Sequence, residues 1–444
     1  GPEWAANKVV YQIFPSRFAA TEPVDKELWY KAPITPMDDL HGNLRGIIEH
    51  MDDIQNLGID VLYMTPIFQS NSCHKYDTTD YYQIDPSFGT TEDLKELVQK
   101  AHERGMKVVL DAVYNHTGRE FFAFADILEN GEKSKYRDWY FIDGFPLKSE
   151  WGEIPNFKCF GYYGGMPKLN LKNPEVEKYI TDVACYWIKE CDIDGWRLDV
   201  GDEISHFFWK NFRKAVKAVK KDMLIIGEIW HYAGDFLEGD EWDTVMNYPF
   251  YLNLIDLLAD EKITVSQFVQ NLGYLKGRLH KNCYPLMWNL IDSHDTARFL
   301  HLCNDNKKKQ HLAAAFQLLL PGMPMIYYGD EYAMPGANDP DCRRGMYWDE
   351  EYQDKEMYEW YKRLIQVRKS HACIVEGELA GSVTEDEEGT VVLIRKNGEE
   401  TIAMIFNCSS SAKKFNEYTQ KYNLLTENTF DGNVEGFDAA VIVL

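Results

Sequence analysis

The sequence predicts an α/β protein: a (β/α)8 TIM barrel with a small subdomain inserted after the third strand and a C-terminal antiparallel β-sandwich domain. Three observations point there. Eight short apolar runs recur over the first three quarters of the chain, helical patterns fill the intervals, and each run ends in polar residues. Near-continuous apolar runs are the mark of parallel strands covered on both faces. Strand then helix, repeated, is the pattern of a barrel.

The first run is "VVYQIFP" (9–15). After it Leu44, Ile47, Ile48, Met51, Ile54 and Leu57 follow helical spacing, and Gly58 ends the segment. The second is "IDVLYMTPIF" (59–68). Its helix opens at Thr91 and closes at Gly105. The third, "MKVVLDAVYNH" (106–116), is followed by 117–168, rich in Phe, Tyr, Gly and Lys. That interval is too long for a simple loop and reads as the inserted subdomain, ahead of a helix over 174–191. The fourth run, "IDGWRLD" (193–199), precedes a helix over 203–220. The fifth, "MLIIGEIW" (223–230), is followed by a weak helix only. "DTVMNYPF" (243–250), "YPLMWNLIDSHD" (284–295) and "MPMIYYGDE" (323–331) complete the set, with helices over 264–279, 308–320 and 352–370. Beyond about 372 the pattern changes. "GTVVLIRKNGEETIAMIFN" (389–407) is two strands around an Asn-Gly turn, and "FDAAVIVL" adds another. The expected division is therefore 1–116 with 169–372 as barrel, 117–168 as insert and 373–444 as β domain.

Composition narrows the function. The 444 residues carry 47 basic and 71 acidic side chains, a formal charge of −24. Such a field repels nucleic acid and anionic lipid and suits a neutral substrate. No run of apolar residues is long enough to span a membrane. The nine cysteines are scattered with no CxxC pair, which argues against zinc and thioredoxin-type sites and for a reducing, cytoplasmic compartment. Gly1-Pro2 reads as a cloning scar, and no secretory signal is evident.

The polar ends of the runs carry the chemistry. They are Asp111, Asn115 and His116 on the third, Arg197 and Asp199 on the fourth, Glu228 on the fifth, and His294 with Asp295 on the seventh. At the C-terminal mouth of a barrel these would converge. Clustered carboxylates serve either metal binding or glycoside cleavage. Arg197, two residues from Asp199, favours the second, because a guanidinium keeps a nucleophilic carboxylate ionised. Glu228 precedes Ile229 and Trp230, an apolar setting that suits a proton donor. Asp199 would then attack an anomeric carbon while Glu228 protonates the leaving oxygen. A retaining mechanism of that kind places the two carboxyl groups about 5–5.5 Å apart.

"DAVYNH", "GWRLDV", "GEIW" and "LIDSHD" resemble, in order, the four signature segments of the α-amylase family of glycoside hydrolases. The resemblance implies Asp199 as nucleophile, Glu228 as general acid/base and Asp295 as transition-state stabiliser. It implies Arg197, His116 and His294 as residues that hold the sugar, and Tyr76 in "HKYDTTDY" as its stacking platform. Asp111 and Asn115 are expected to brace the mouth. A fifth segment, "MPKLN" (166–170), is similar to that of the neopullulanase, cyclomaltodextrinase and maltogenic amylase group, as are "GEKSKYRDWYFI" and "NDPDCRRGMYWD". In the last, Asp339 and Arg343 resemble a pair that grips the non-reducing side of the sugar, which favours short or cyclic α-glucans. Trp230 resembles an acceptor-side aromatic.

Three departures modify what the resemblance implies. The group usually carries an N-terminal carbohydrate-binding domain. Here the barrel begins near Val9, so an open site and a monomer or weak homodimer are expected. "RFAATEPVDKELWYK" and "DLHGNLRG" stand where the group's calcium loop is rich in Asn, Gly and Asp, so neither calcium nor another cofactor is expected. Gly164-Gly165 stand where the group has bulkier residues, and Gly201 lies beside the acceptor side, which would shift linkage preference. The expected function is a retaining α-glucan hydrolase acting on α-1,4 bonds of maltooligosaccharides and cyclodextrins, with pullulan as a further candidate and some transglycosylation. The alternatives are a glucanotransferase, an α-1,6-active glucosidase, or an inactive sugar-binding barrel.

Overall fold

Eight parallel strands close into a barrel in the computed structural model, which describes residues 1–444. They are β1 (Val10–Ile13), β2 (Val61–Met64), β3 (Lys107–Ala112), β4 (Gly195–Leu198), β5 (Leu224–Gly227), β6 (Thr244–Asn247), β7 (Trp288–Asn289) and β8 (Met323–Tyr327). β1 pairs with β2 on one side and β8 on the other, so no edge is left open. All eight apolar runs thus become barrel strands.

The period of two along each strand explains the interior. Val10, Val61, Val109, Ile226, Met246, Trp288 and Met325 meet in one apolar plug at the barrel centre. Two residues further along the same strands stand Gln12, Tyr63, Asp111 and Glu228, with Tyr248 above Met246. The site is therefore the polar layer stacked directly on the plug. Gly195 makes room on β4. A Cβ there would lie 2.8 Å from the Leu224 carbonyl oxygen and 2.9 Å from Val109 Cγ2. Arg197, two residues on, is thereby turned inward, while Trp196 and Leu198 pack outward into the helical shell.

The helices differ from expectation in three places. The segment over 44–57 is two helices, Leu44–Glu49 and Met51–Leu57, broken at His50. After β5 only a 3-10 turn forms, Gly234–Phe236. After β6 a helix begins at once, Tyr248–Leu254, and ends in a π turn before Val265–Arg278. β7 keeps only two residues of the long run 284–295; a 3-10 turn, Tyr284–Leu286, precedes it, and the loop that follows carries His294 and Asp295.

The insert between β3 and the helix Pro174–Cys191 holds one helix, Phe122–Asn130, and four isolated antiparallel bridges. Its aromatics are its core: Phe124 meets Tyr140 and Phe157 at ring distances of 5.1 and 5.2 Å. The C-terminal six-stranded antiparallel sheet shows clean alternation. Ile402, Met404 and Phe406 face the barrel, where Phe406 stacks on Phe316 at 4.2 Å. Ala403 and Ile405 face the other way, under Phe415, Phe430 and Val434. The Lys413–Lys414 and Asn433–Val434 ribbon supplies a thin second layer.

Candidate active site

At the C-terminal mouth a cleft of about 300 Å³ is lined by Tyr76, His116, Asp199, Glu228, Trp230, Asp295, Asp339 and Arg343, together with His74, Phe160, Met166 and Val200. The remaining two of the ten anticipated residues, Arg197 and His294, lie buried directly beneath it. All ten are brought together.

Arg197 organises the floor. Its Nη1 donates to both oxygens of Asp111 at 3.0 and 3.1 Å and to Asp199 Oδ1 at 3.2 Å. Its Nη2 stands 3.0 Å from Glu228 Oε2 and 4.0 Å from Asp295 Oδ2. One guanidinium therefore faces four carboxyl groups, contributed by strands β3, β4 and β5 and the loop after β7. Burial opposes its charge, but Asp111 and Glu228 hold it firmly protonated. Asp111 is the better-bound partner, since Tyr63 and Tyr76 also donate to its Oδ2 at 2.6 and 2.7 Å.

This arrangement corrects the expected electrostatics. Arg197 was expected to keep Asp199 ionised. Instead, burial pushes the Asp199 carboxyl well above the usual carboxylate range, and Glu228 pushes it further, with Arg197 opposing only in part. Burial is the main cause, and the one guanidinium that opposes it is shared with Asp111 and Glu228. The surroundings of Glu228 are also less apolar than its neighbours Ile229 and Trp230 suggested. Its Oε2 accepts the Val200 N–H at 2.9 Å, and its Oε1 accepts the Trp230 indole N–H at 3.1 Å. Val200 reaches Glu228 because it sits in the left-handed region, at φ 49° and ψ 40°. For a β-branched residue that backbone is strained. It turns the chain sharply just after Asp199 and aims the amide into the site.

Burial disfavours the charged form of both histidines. Burial brings His116 down to about 4, and its Nε2 donates to the Tyr76 carbonyl oxygen at 2.8 Å. Burial, aided by Arg343 and Arg197, holds His294 well below the ordinary histidine value. The Tyr76 ring lies nearly parallel to the His294 ring, 5.5 Å between centroids. On the cleft wall Arg343 pairs with Asp339 at 3.0 Å and donates from Nε to the His294 carbonyl oxygen at 2.9 Å. Trp230 stacks on Tyr248 at 3.7 Å and remains 41% exposed.

Sequence reading missed His74, Gln12, Tyr63 and Tyr248 as members of this set. Gln12 had a usable signal: it is the one polar side chain in the run "VVYQIFP" before its proline, as odd there as Arg197 is in β4. Asp111, expected as a brace of the mouth, ties Arg197, Tyr63 and Tyr76 together beneath the cleft.

Comparison with known proteins agrees with this geometry. The family described as Alpha amylase, catalytic domain, matches residues 12–377. The chain is 47% identical to a Cyclomaltodextrinase of Geobacillus thermopakistaniensis (strain MAS1), over 93% of this chain and 70% of that protein. It is 43% identical to Neopullulanase 2 of Thermoactinomyces vulgaris, over 91% and 70% respectively. The solved cyclic α-maltosyl-(1→6)-maltose hydrolase of Arthrobacter globiformis superposes with a TM-score of 0.91 at 35% identity, covering 100% of this chain and 99% of that one. Signature segments, barrel and relatives agree: the chain belongs to the α-amylase family of glycoside hydrolases.

Proposed function

We propose that this chain is a retaining α-glucan hydrolase that opens cyclodextrins and short maltooligosaccharides at α-1,4 bonds. The observation that carries the reading is the single guanidinium of Arg197 holding Asp199 and Glu228 at 3.2 and 3.0 Å beneath one cleft. A guanidinium that reaches both carboxyl groups brings them to one side of the cleft, and the retaining course calls for a separation of about 5–5.5 Å between them.

Each oxygen has a task. Asp199 Oδ1 is held by Arg197, which leaves Oδ2 to attack the anomeric carbon. Glu228 Oε2 takes the Val200 N–H, so Oε1 carries the proton that passes to the leaving oxygen. The C1–O bond breaks as the ester bond from C1 to Asp199 forms, inverting the α configuration once. Glu228 then takes a proton from water, whose oxygen displaces Asp199 and restores the α configuration. The reaction itself calls for the proton on Glu228 and the negative charge on Asp199 in the reacting complex. Asp295 and His294 meet the ring hydroxyls, Asp339 and Arg343 grip the non-reducing side, and Trp230 receives the leaving sugar.

No metal or other cofactor is assigned a role in this reading. Support comes from the loop after β1, where the buried Arg17 guanidinium donates to the carbonyl oxygens of Arg343, Thr35 and Asp38 at 2.9, 3.1 and 3.0 Å. A fixed side-chain cation already neutralises that carbonyl cluster. A reducing compartment is proposed on the nine cysteines, each an unpaired thiol. No helix is long and apolar enough to cross a membrane.

A second reading, action on cyclic glucans that contain α-1,6 bonds, is favoured by the end-to-end match to the Arthrobacter globiformis hydrolase. A product time course separates the two. The substrates are cyclodextrin, cyclic α-maltosyl-(1→6)-maltose, maltotriose, pullulan and soluble starch, each with and without EDTA. Cyclodextrin is expected to be opened fastest, giving linear products no longer than itself, at a rate EDTA leaves unchanged. Faster attack on the mixed-linkage ring would establish the second reading. Products longer than the substrate as the main yield would establish a transferase, and loss of rate in EDTA would restore a metal requirement.

A further inference from the structure

We propose that Gln12 is a positioning residue, whose side-chain N–H locks His294 as the neutral Nε2–H tautomer and so keeps an uncharged imidazole, donating to Tyr76, beneath the glucosyl ring. The inference rests on the glycosidase reading above.

Gln12 is fully buried on β1, one layer above Val10 of the apolar plug. Its side-chain nitrogen lies 2.7 Å from His294 Nδ1, and its Oε1 is buried with no hydrogen-bond partner. At that distance one atom donates and the other accepts. Which does which follows from the other edge of the imidazole. There Nε2 faces two oxygens, Tyr76 Oη at 2.8 Å and Asp295 Oδ2 at 3.3 Å. The Tyr76 hydroxyl hydrogen is directed to Asp111 Oδ2 at 2.7 Å, so toward His294 its oxygen accepts. The Asp295 carboxylate accepts as well. Two acceptors on Nε2 require the proton there. Nδ1 is then a lone pair, and Gln12 must present an N–H to it.

Every donor in the chain now points one way: Gln12 to His294, His294 to Tyr76, Tyr76 to Asp111, where Arg197 meets it. Burying the Gln12 oxygen without a partner is costly. An aliphatic side chain would avoid that penalty, so the amide is retained for what its nitrogen does.

The same contact disfavours the imidazolium, in which Nδ1–H would oppose the Gln12 N–H. Charged and titratable groups around His294 are Arg343 and Arg197, against Asp295 and Glu228, with His74, Tyr76 and the Cys342 thiol alongside. Burial and the two arginines act in the same direction as Gln12. Neutrality matters because the transition state is oxocarbenium-like. A further cation at the anomeric centre would repel it.

Two variants of the full chain test this. Gln12→Met removes both the donor and the orphaned oxygen at similar volume, so wild-type thermal stability is expected. Its kcat should fall roughly tenfold with little change in KM, as when a partner that orients a functional histidine is lost. Gln12→Glu places an acceptor on Nδ1 and stabilises the imidazolium. The acid limb of kcat should move to higher pH by roughly one unit or more. Ring-nitrogen NMR of histidine-labelled wild-type protein reads the tautomer without turnover, and should show Nε2–H for His294. A folded Gln12→Met variant with wild-type kcat and pH profile, or an Nδ1–H signature for His294, would overturn the proposal even in an active enzyme. A wild-type protein inert on every α-glucan, yet showing Nε2–H, would instead count against the glycosidase reading alone.

Discussion

Asp199→Ala is expected to lower kcat on maltooligosaccharides by roughly 10⁴-fold or more, with the fold intact. The side chain is placed by the end of β4, where the Asp199 N–H donates to the Ala112 carbonyl oxygen at 3.1 Å and Arg197 grips Oδ1. Alanine removes the only group positioned to attack, and water entering the space lacks the fixed approach that gives an oriented nucleophile its advantage. Glu228→Gln separates the roles further. Glutamine keeps one acceptor oxygen, enough for only one of the Val200 and Trp230 N–H donors, and has no acidic proton. Substrates with poor leaving groups should lose as much as in Asp199→Ala, whereas an α-glucosyl fluoride, which needs no protonation, should keep far more of its rate of ester formation. Steady-state kinetics on both substrate types checks this. Equal losses on both would remove Glu228 from the proton-donor role.

Arg197→Met is expected to lower stability by about 3–5 kcal/mol, because removing one partner of a buried charge cluster leaves the others uncompensated. Arg197 is wholly buried, and Asp111, Asp199 and Glu228 all pair with it. Tyr63 and Tyr76 would remain on Asp111 but carry no charge. Denaturant titration measures the loss. The double variant Arg197→Met, Asp111→Asn should be less destabilised than the sum of the singles, since the two share one interaction. A wild-type midpoint for Arg197→Met would mean that the tyrosine hydrogen bonds alone hold the floor together.

Much of this was legible in the sequence, for a physical reason. Parallel strands buried on both faces write themselves as apolar runs, so all eight were found, and functional side chains at their ends stand out against that background. Arg197 in β4 is the clearest case. What could not be read was sharing. Sequence spacing pairs Arg197 with Asp199, two residues away, but cross-strand register sets Asp111 directly beside Arg197, and the guanidinium is shared with it. Likewise Glu228 looked apolar from its neighbours Ile229 and Trp230. The Val200 amide that binds it arrives through a strained backbone turn, and Trp230 turns its N–H inward rather than its ring alone. Gln12 is a polar side chain in an apolar run, a signal the reading missed, and its purpose depends on a histidine 282 residues away.

The most direct measurement is mass spectrometry of peptides after brief reaction with a fluorinated α-glucosyl fluoride, which slows breakdown of a covalent ester. The expected result is one glycosyl unit attached to the peptide that carries Asp199, absent from Asp199→Ala. A label on another carboxylate, or an active enzyme that never forms an ester and releases product of inverted configuration, would contradict the assignment of Asp199 as the nucleophile.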